Sequence, residues 1–330
     1  MDLEFFLTNN LSPTLLKEVD EFLDSQETGH PFQFPQWLDS GSRLALLREE
    51  TRIRWVGAFG VHSPFGWKVP WIRAAAANRG PVCDDRKLWI EGLCLVSDQL
   101  QRERIAYLDV SPDWVEESDS QSFDLARHPE WKSIDDGAAS LRLSLTADAD
   151  EIFAKFSKNT RYEVRRAERM GANVALAASE GEVDEFSRMY QRLAVRKGFQ
   201  PDRSERQRRQ IYWLMSAPSR GALLLARREN VVLGGTVIGR AGRRCWYLWG
   251  ASEKQAHLNV GHILQWNALQ WAKSHGCTEY DFGGYTPGAT SGPAWFKAGF
   301  GGTVVHFVEP RRRVLRPGTY RIFNLLSRIR

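Results

Sequence analysis

Residues 280–302 read YDFGGYTPGATSGPAWFKAGFGG; seven of the 23 are glycine and two are proline. Tyr280, Asp281 and Phe282 end an apolar run that predicts a strand, and Gly283 and Gly284 open a long loop. Glycine lets backbone approach a ligand closely and leaves amide donors bare. A loop of this size inside a compact domain is usually functional or disordered, and its aromatic residues argue against mere disorder. The cluster Trp295-Phe296-Lys297 gives it an aromatic wall and a fixed cation.

The elements leading into this loop set the fold class. Periodicity predicts strands over residues 140–145 and 174–177 and one helix over 148–170 stopped by Gly171. Helices over 181–196 and 204–216 follow, then a hairpin of 222–228 with 231–240. A strand at 244–250, a helix at 262–275 stopped by Gly276, and strands at 279–282 and 303–309 complete the half. Strand, helices, antiparallel hairpin, strand, helix, strand is the order of a GNAT-type acyltransferase domain. The first half repeats it faintly. Strands are expected at 3–6, 44–48, 53–62 and 104–110. Helices are expected at 12–24, with Ser12 as N-cap and Pro13 at the first position, and at 84–101, capped by Asp84 or Asp85. The expected fold is α+β: two tandem GNAT-like domains of mixed, mostly antiparallel sheets flanked by helices. Domain one would span 1–138 and domain two 139–310, joined by a polar linker at 115–138. The tail 311–330 would pack back on domain one.

Composition narrows the function. The 330 residues carry 13 tryptophans and a net charge of +5, which favours aromatic-walled grooves and anionic partners. Cys83, Cys94, Cys245 and Cys277 lack metal-ligand spacing and suit a reducing compartment, as small apolar fillers. No metal is expected. The acidic start and the lack of a run of about 20 apolar residues point to the cytoplasm. Lys155, Lys158, Arg161, Arg165, Arg166 and Arg169 fall on one predicted helix. The tail from Pro310 has seven arginines and no acidic residue. Such patches suit tRNA or an anionic membrane, or form a solvated face.

The loop's two halves, Tyr-Asp-Phe-Gly-Gly and Phe296-Lys297-Ala298-Gly299-Phe300-Gly301-Gly302, resemble the C-terminal motif of the FemABX peptidoglycan aminoacyltransferases. Residues 159–171, YQRLAVRKGF at 190–199, HPFQFPQW at 30–37 and Arg79-Gly80-Pro81 are also similar to family positions. The resemblance implies paired GNAT-like domains. It implies transfer of an amino acid from aminoacyl-tRNA to an amine of a nucleotide- or lipid-linked peptidoglycan precursor, with no cofactor. It places Lys297, with Phe296 beside it, at the transferred group. Physics agrees, because ester aminolysis passes through an oxyanion that a fixed cation stabilises. The nucleophile is the substrate's amine, so no Ser or Cys nucleophile is needed.

Asp109 and Asp281 sit at strand ends and are candidates to take or orient the amine proton; turn or capping roles compete. Tyr247 and Trp249 would share one strand face and line a cleft, or be core. Arg196, Tyr247, Trp249, Asp281, Gly283, Gly284 and Trp37 form the expected substrate set, and Lys297, Phe296 and Asp109 the catalytic one. Two family features are missing: a helical-hairpin insertion, and a basic residue just after Trp37.

Two rivals stand beside this reading. The first is an acyl-CoA-dependent N-acyltransferase of cell-envelope or polysaccharide assembly. Against it, HLNVGHI at 257–263 keeps only Gly261 of the usual pyrophosphate-binding pattern. The second is a non-catalytic membrane- or RNA-binding module, with the basic tail touching the inner membrane face.

Overall fold

The computed structural model describes residues 1–116, 128–135, 138–200, 204–217, 219–253, 258–288, 290 and 292–328. It divides into two compact units, residues 1–138 with 306–330, and residues 139–305. Much of the expected linker at 115–138, and His257 of the HLNVGHI run, lie outside the described residues.

The first unit contains β1 (Asp2–Leu7), α1 (Pro13–Ser25), β2 (Arg43–Glu49), β3 (Arg52–His62), β4 (Ala74–Asn78), β5 (Val82–Cys83), α2 (Lys87–Arg102), β6 (Tyr107–Ser111) and β7 (Trp131–Ser133). Its sheet runs β1-β2-β3-β4-β6, where β4 and β6 are parallel and α2 is the connection between them. Ser12 caps α1 as expected, accepting from the Leu15 amide at 3.2 Å. Helix α2 begins three residues later than the aspartates suggested. Asp85 accepts from the Lys87 amide at 2.9 Å and so serves the turn that leads in. The run HPFQFPQW forms two short 3₁₀ turns. Gln33 ties them to the sheet: it donates to the Asn78 carbonyl at 2.8 Å and accepts from the Ala58 amide at 3.1 Å.

The second unit contains β8 (Ala139–Ser144), α3 (Ala149–Ala154), α4 (Lys158–Arg169), β9 (Asn173–Leu176), α5 (Glu180–Lys197), α6 (Ser204–Ser216), β10 (Gly221–Arg228), β11 (Val231–Ala241), β12 (Arg244–Ser252), α7 (Val260–Ser274), β13 (Glu279–Gly284), α8 (Gly292–Ala298) and β14 (Thr303–His306). Its sheet runs β14-β8-β13-β12-β11-β10-β9. Strands β12 and β13 are parallel, paired only over Arg244–Trp246 and Glu279–Asp281, with α7 between them in sequence. The chain then returns to the first unit as β15 (Arg311–Val314), between β6 and β7, and α9 (Pro317–Ser327). This is the mixed α+β architecture of two GNAT-like units.

Three departures from the sequence reading matter for the site. The helix expected over 148–170 is two helices. Ser157 caps α4 through the Thr160 amide (3.1 Å), its own amide donates to the Gly299 carbonyl (2.8 Å), and Arg161 closes the end of α3 on the Ala154 carbonyl (2.9 Å). Lys155 therefore lies off the basic helix. The loop at 280–302 contains α8, which carries Phe296 and Lys297. The final strand expected over 303–309 is shorter, and β15 was not read at all. Its four residues are mostly arginine, and only pairing on both edges makes RRRV a strand.

Candidate active site

The second unit forms a cavity of about 630 Å³ between α5, β11, β12, the start of α7 and Phe296. Leu193, Tyr247, Val260, Leu264 and Phe296 give it apolar walls, and Arg196 and Lys197 of α5 bring positive charge. The first turn of α7 forms another side. Its N-cap, Asn259, makes no capping bond and instead donates to Glu163 of α4 at 3.2 Å. The leading amides of α7, at the positive end of the helix, thus lack a side-chain cap. Gly261 brings the helix against Phe296: a Cβ there would meet the Phe296 ring at 3.5 Å.

Lys297 lies behind this wall. It is 8% exposed, and Nζ donates to the carbonyl oxygens of Gly284 (2.7 Å) and Gly283 (3.3 Å). Nζ also lies 5.9 Å from the centre of the Tyr247 ring, which lines the cavity. Burial lowers the Lys297 pKa to about 8, with Asp281 pulling the other way. The carbonyls that hold it come from a turn with Gly283 at φ +69°, a left-handed conformation open to glycine.

Asp281 builds that turn. Its carboxylate accepts from Arg142 Nε (2.8 Å), the Gly283 amide (2.8 Å) and the Ser140 hydroxyl, and the residue is 2% exposed. With both oxygens engaged in hydrogen bonds, it shapes the loop. Asp109 is likewise committed. Arg312 holds it bidentately at 2.6 and 2.7 Å, in the first unit. The two aspartates read as candidates for the amine proton thus each pair with an arginine from a distant part of the chain.

Tyr247 and Trp249 do not share a face. Tyr247 pairs with Ile238 and Trp249 with Val237, across a bulge that inserts Leu248. Adjacent residues of β11 point to opposite sides, so the two aromatics do as well. Tyr247 lines the cavity, and its phenol is pushed up to about 12 by burial. Trp249 does not line it. Trp37, in the first unit, is 5% exposed and stacks on Phe32 with ring centres 5.0 Å apart, a packing role. Arg196 reaches toward the Ser252 carbonyl at 3.4 Å on the cavity rim. The structure therefore gathers Lys297, Phe296, Tyr247, Arg196, Gly283, Gly284 and Asp281 in one unit around one cavity and its wall.

Sequence reading passed over His262. It is 7% exposed, lines the cavity, and lies edge-on to Phe296 with centroids 4.9 Å apart. Its Nδ1 is buried and makes no regular hydrogen bond among the described residues. Burial pushes its pKa below the ordinary histidine value, against weaker raising effects of Glu163 and the Asn259 backbone. Only its place just after Gly261 could have flagged it. Sequence reading also missed Gln265, which accepts from the buried Tyr280 hydroxyl (2.8 Å) and donates to Thr236 (3.1 Å), fixing the cavity floor. Among the described residues no group of three or more His, Cys, Asp or Glu side chains could hold a metal ion.

Residues 154–297 match the acetyltransferase (GNAT) domain family. A stretch of 57 residues is 39% identical to the lipid II:glycine glycyltransferase of Staphylococcus saprophyticus, covering 17% of this chain and 14% of that protein. The Staphylococcus aureus protein of the same name is 37% identical over 57 residues, again 14% of its length. The chain thus matches a small part of these relatives. Among solved structures, FemX superposes with a TM-score of 0.79 at 16% identity, covering 98% of this chain and 99% of that one. The structure of L-PGS from Bacillus licheniformis gives 0.59 at 12%, covering 96% and 95%. A tandem GNAT protein from the clavulanic acid biosynthesis pathway gives 0.56 at 11%, covering 96% and 99%. At these identities the structural likenesses establish the fold: two GNAT-like units in tandem.

Proposed function

We propose, from the premise that this chain is a FemABX-type protein built on two GNAT-like units, that it is an aminoacyltransferase. It moves an amino acid from aminoacyl-tRNA to an amine of a peptidoglycan precursor or related cell-envelope acceptor, in the cytoplasm and without a cofactor. The observation that carries this reading is the buried Lys297 ammonium, seated on two loop carbonyls beside the cavity.

In the reaction the acceptor amine attacks the ester carbonyl. A C–N bond forms and the C–O bond to the tRNA ribose breaks. Lys297 stabilises the oxyanion that develops between these events, an effect strengthened by its dry surroundings. Phe296 and Tyr247 hold the aminoacyl group. Arg196 and the α7 amides suit the anionic part of the donor. His262, neutral near pH 7 because burial lowers its pKa, takes the amine proton and returns it to the departing ribose oxygen. Gly283, Gly284 and Asp281 hold Lys297 in place.

A second reading has support from the α7 amides facing the cavity and from the acetyltransferase domain match. It is acyl transfer from an acyl-CoA to a cell-envelope amine. One assay separates the two. Purified protein is given mixed charged tRNAs or a panel of acyl-CoAs, with nucleotide-linked muropeptide precursor, and the acceptor is weighed by mass spectrometry. Amino-acid mass gain from charged tRNA supports the first reading. Acyl gain from CoA alone moves the assignment to the second, and no gain from either donor sinks both.

A further inference from the structure

The C-terminal helix α9 has two faces with different fates. Tyr320, Phe323 and Leu326 turn inward onto Ile72, Ala74, Ala106 and Tyr107, beside Phe65 and Val69. Arg312 locks this dock: its guanidinium lies 4.0 Å from the Tyr107 ring centre, within 6 Å of Tyr320 and Phe323, and is paired with Asp109. The outward face is amphipathic in an unusual place. Ile322 is 41% exposed and Leu325 is 61% exposed, and Arg321 and Arg328 are exposed on either side of them. Helical spacing sets 321, 325 and 328 in one row and 322 beside it.

The loop that packs in the same cluster as the inner face of the helix also carries exposed groups. Trp71, 57% exposed, directly precedes the buried Ile72 of the same cluster, and Lys68 nearby is exposed. Residues 310–330 hold seven arginines and no acidic residue.

We propose that the outward face of α9 is a docking surface for an anionic lipid bilayer, lying on the membrane through Ile322 and Leu325 with Arg321 and Arg328 at the headgroups. Aliphatic side chains flanked by cations match the headgroup–acyl boundary. Attraction to a negative leaflet explains the charge, which an uncharged surface would not reward. A phosphate backbone would use the arginines but gains nothing from exposed isoleucine and leucine. No helix among the described residues is long and apolar enough to cross a membrane, so the contact is peripheral. The surface deepens the functional reading, since it would bring the chain to lipid-linked acceptors. It rests on that reading only for its use, and binding itself needs no substrate.

The test is co-sedimentation of the full chain with vesicles of phosphatidylcholine, with and without phosphatidylglycerol. The expected result is binding to the anionic vesicles, weakened about tenfold or more by the double change Ile322→Ser and Leu325→Ser. Arg321→Ser with Arg328→Ser should weaken binding and remove much of its salt dependence. All four positions face solvent, and thermal unfolding checks that the variants fold. Transfer to a water-soluble, nucleotide-linked acceptor should be unchanged in them, which separates failure of the surface from failure of the reaction. No binding to anionic vesicles, or binding that both double variants leave intact, overturns the proposal. Loss of tRNA binding in these variants with vesicle binding unchanged would reassign the face to RNA.

Discussion

The Lys297 ammonium sits 2.7 Å from the Gly284 carbonyl oxygen, while the nearest carboxylate of the loop, Asp281, is occupied by Arg142 at 2.8 Å. The lysine is thus held by dipoles and has no salt-bridge partner among the described residues. A charge kept this way remains available to a developing oxyanion. Substituting Lys297 by methionine should lower kcat/KM by about 10²–10³. Lys297→Arg should rescue little, since a planar fork does not fit a two-carbonyl cradle built for a point charge. Steady-state kinetics of the three proteins decide this; near wild-type activity in Lys297→Met would remove the lysine from the mechanism.

The same burial makes the lysine costly to the fold. Its pKa is about 8 in the folded chain against an ordinary 10.5. Between these values the unfolded chain binds more protons, so stability rises with pH from about 8 to 10.5; below pH 8 the buried charge costs on the order of 3 kcal/mol. Lys297→Met should therefore be more stable than wild type at pH 7, with an advantage that shrinks toward pH 10.5. Denaturant unfolding across that range measures it. Activity should run oppositely, falling as pH rises through about 8 and the cation is lost.

His262 predicts the other limb of the pH profile. Its pKa lies below the ordinary 6.5, so it is neutral at pH 7 and gains a proton only in acid. If it accepts the amine proton, kcat/KM falls as pH drops through that lowered value. The groups against it are Glu163 on α4, the Asn259 backbone, and the rings of Phe296 on α8 and Phe300. His262→Gln should reduce kcat/KM by about 10²-fold or more and flatten the acid limb. A rate loss with an unchanged acid limb would make the residue a packing element.

Asp281 and Arg142 form a buried pair, 3% and 6% exposed at their side chains. Asp281→Ala should destabilise the second unit by about 3–5 kcal/mol, because it strands a buried guanidinium. Glu279, 3.7 Å from Arg142, can offset part of that loss. The variant should also release the Gly283–Gly284 turn and with it the Lys297 seat. Thermal unfolding reports the first effect and lysine-selective NMR titration the second: a lysine released from its seat titrates back toward 10.5, whereas one still buried loses the raising influence of Asp281 and titrates below about 8.

Arg312→Ala should free α9 from the first unit. It removes a bidentate pair and a cation placed over three aromatic rings, at a cost of about 2 kcal/mol or more. Limited proteolysis should then cut within residues 315–328 well before the rest of the chain, and persistence of the intact tail would count against this anchoring.

Local sequence settled a good deal. Alternation, helical spacing, Ser12, Gly171 and Gly276 placed most strands and helices, because these signals act within one turn or one strand. The glycine-rich run with Phe296 and Lys297 pointed to the loop that borders the candidate site, since few other roles need bare backbone, aromatics and a lone cation together. Only tertiary structure decided the partners. Asp109 and Asp281 read as open carboxylates until Arg312 and Arg142, 203 and 139 residues away in sequence, took them. Trp249 left the face of Tyr247 because a bulge forms against β11, a register property that one strand cannot reveal. RRRV became a strand only between two others, and His262 gained its meaning from the ring of Phe296. Short-range patterns fix what a segment can form; burial and charge pairing between distant segments fix which side chains remain to act.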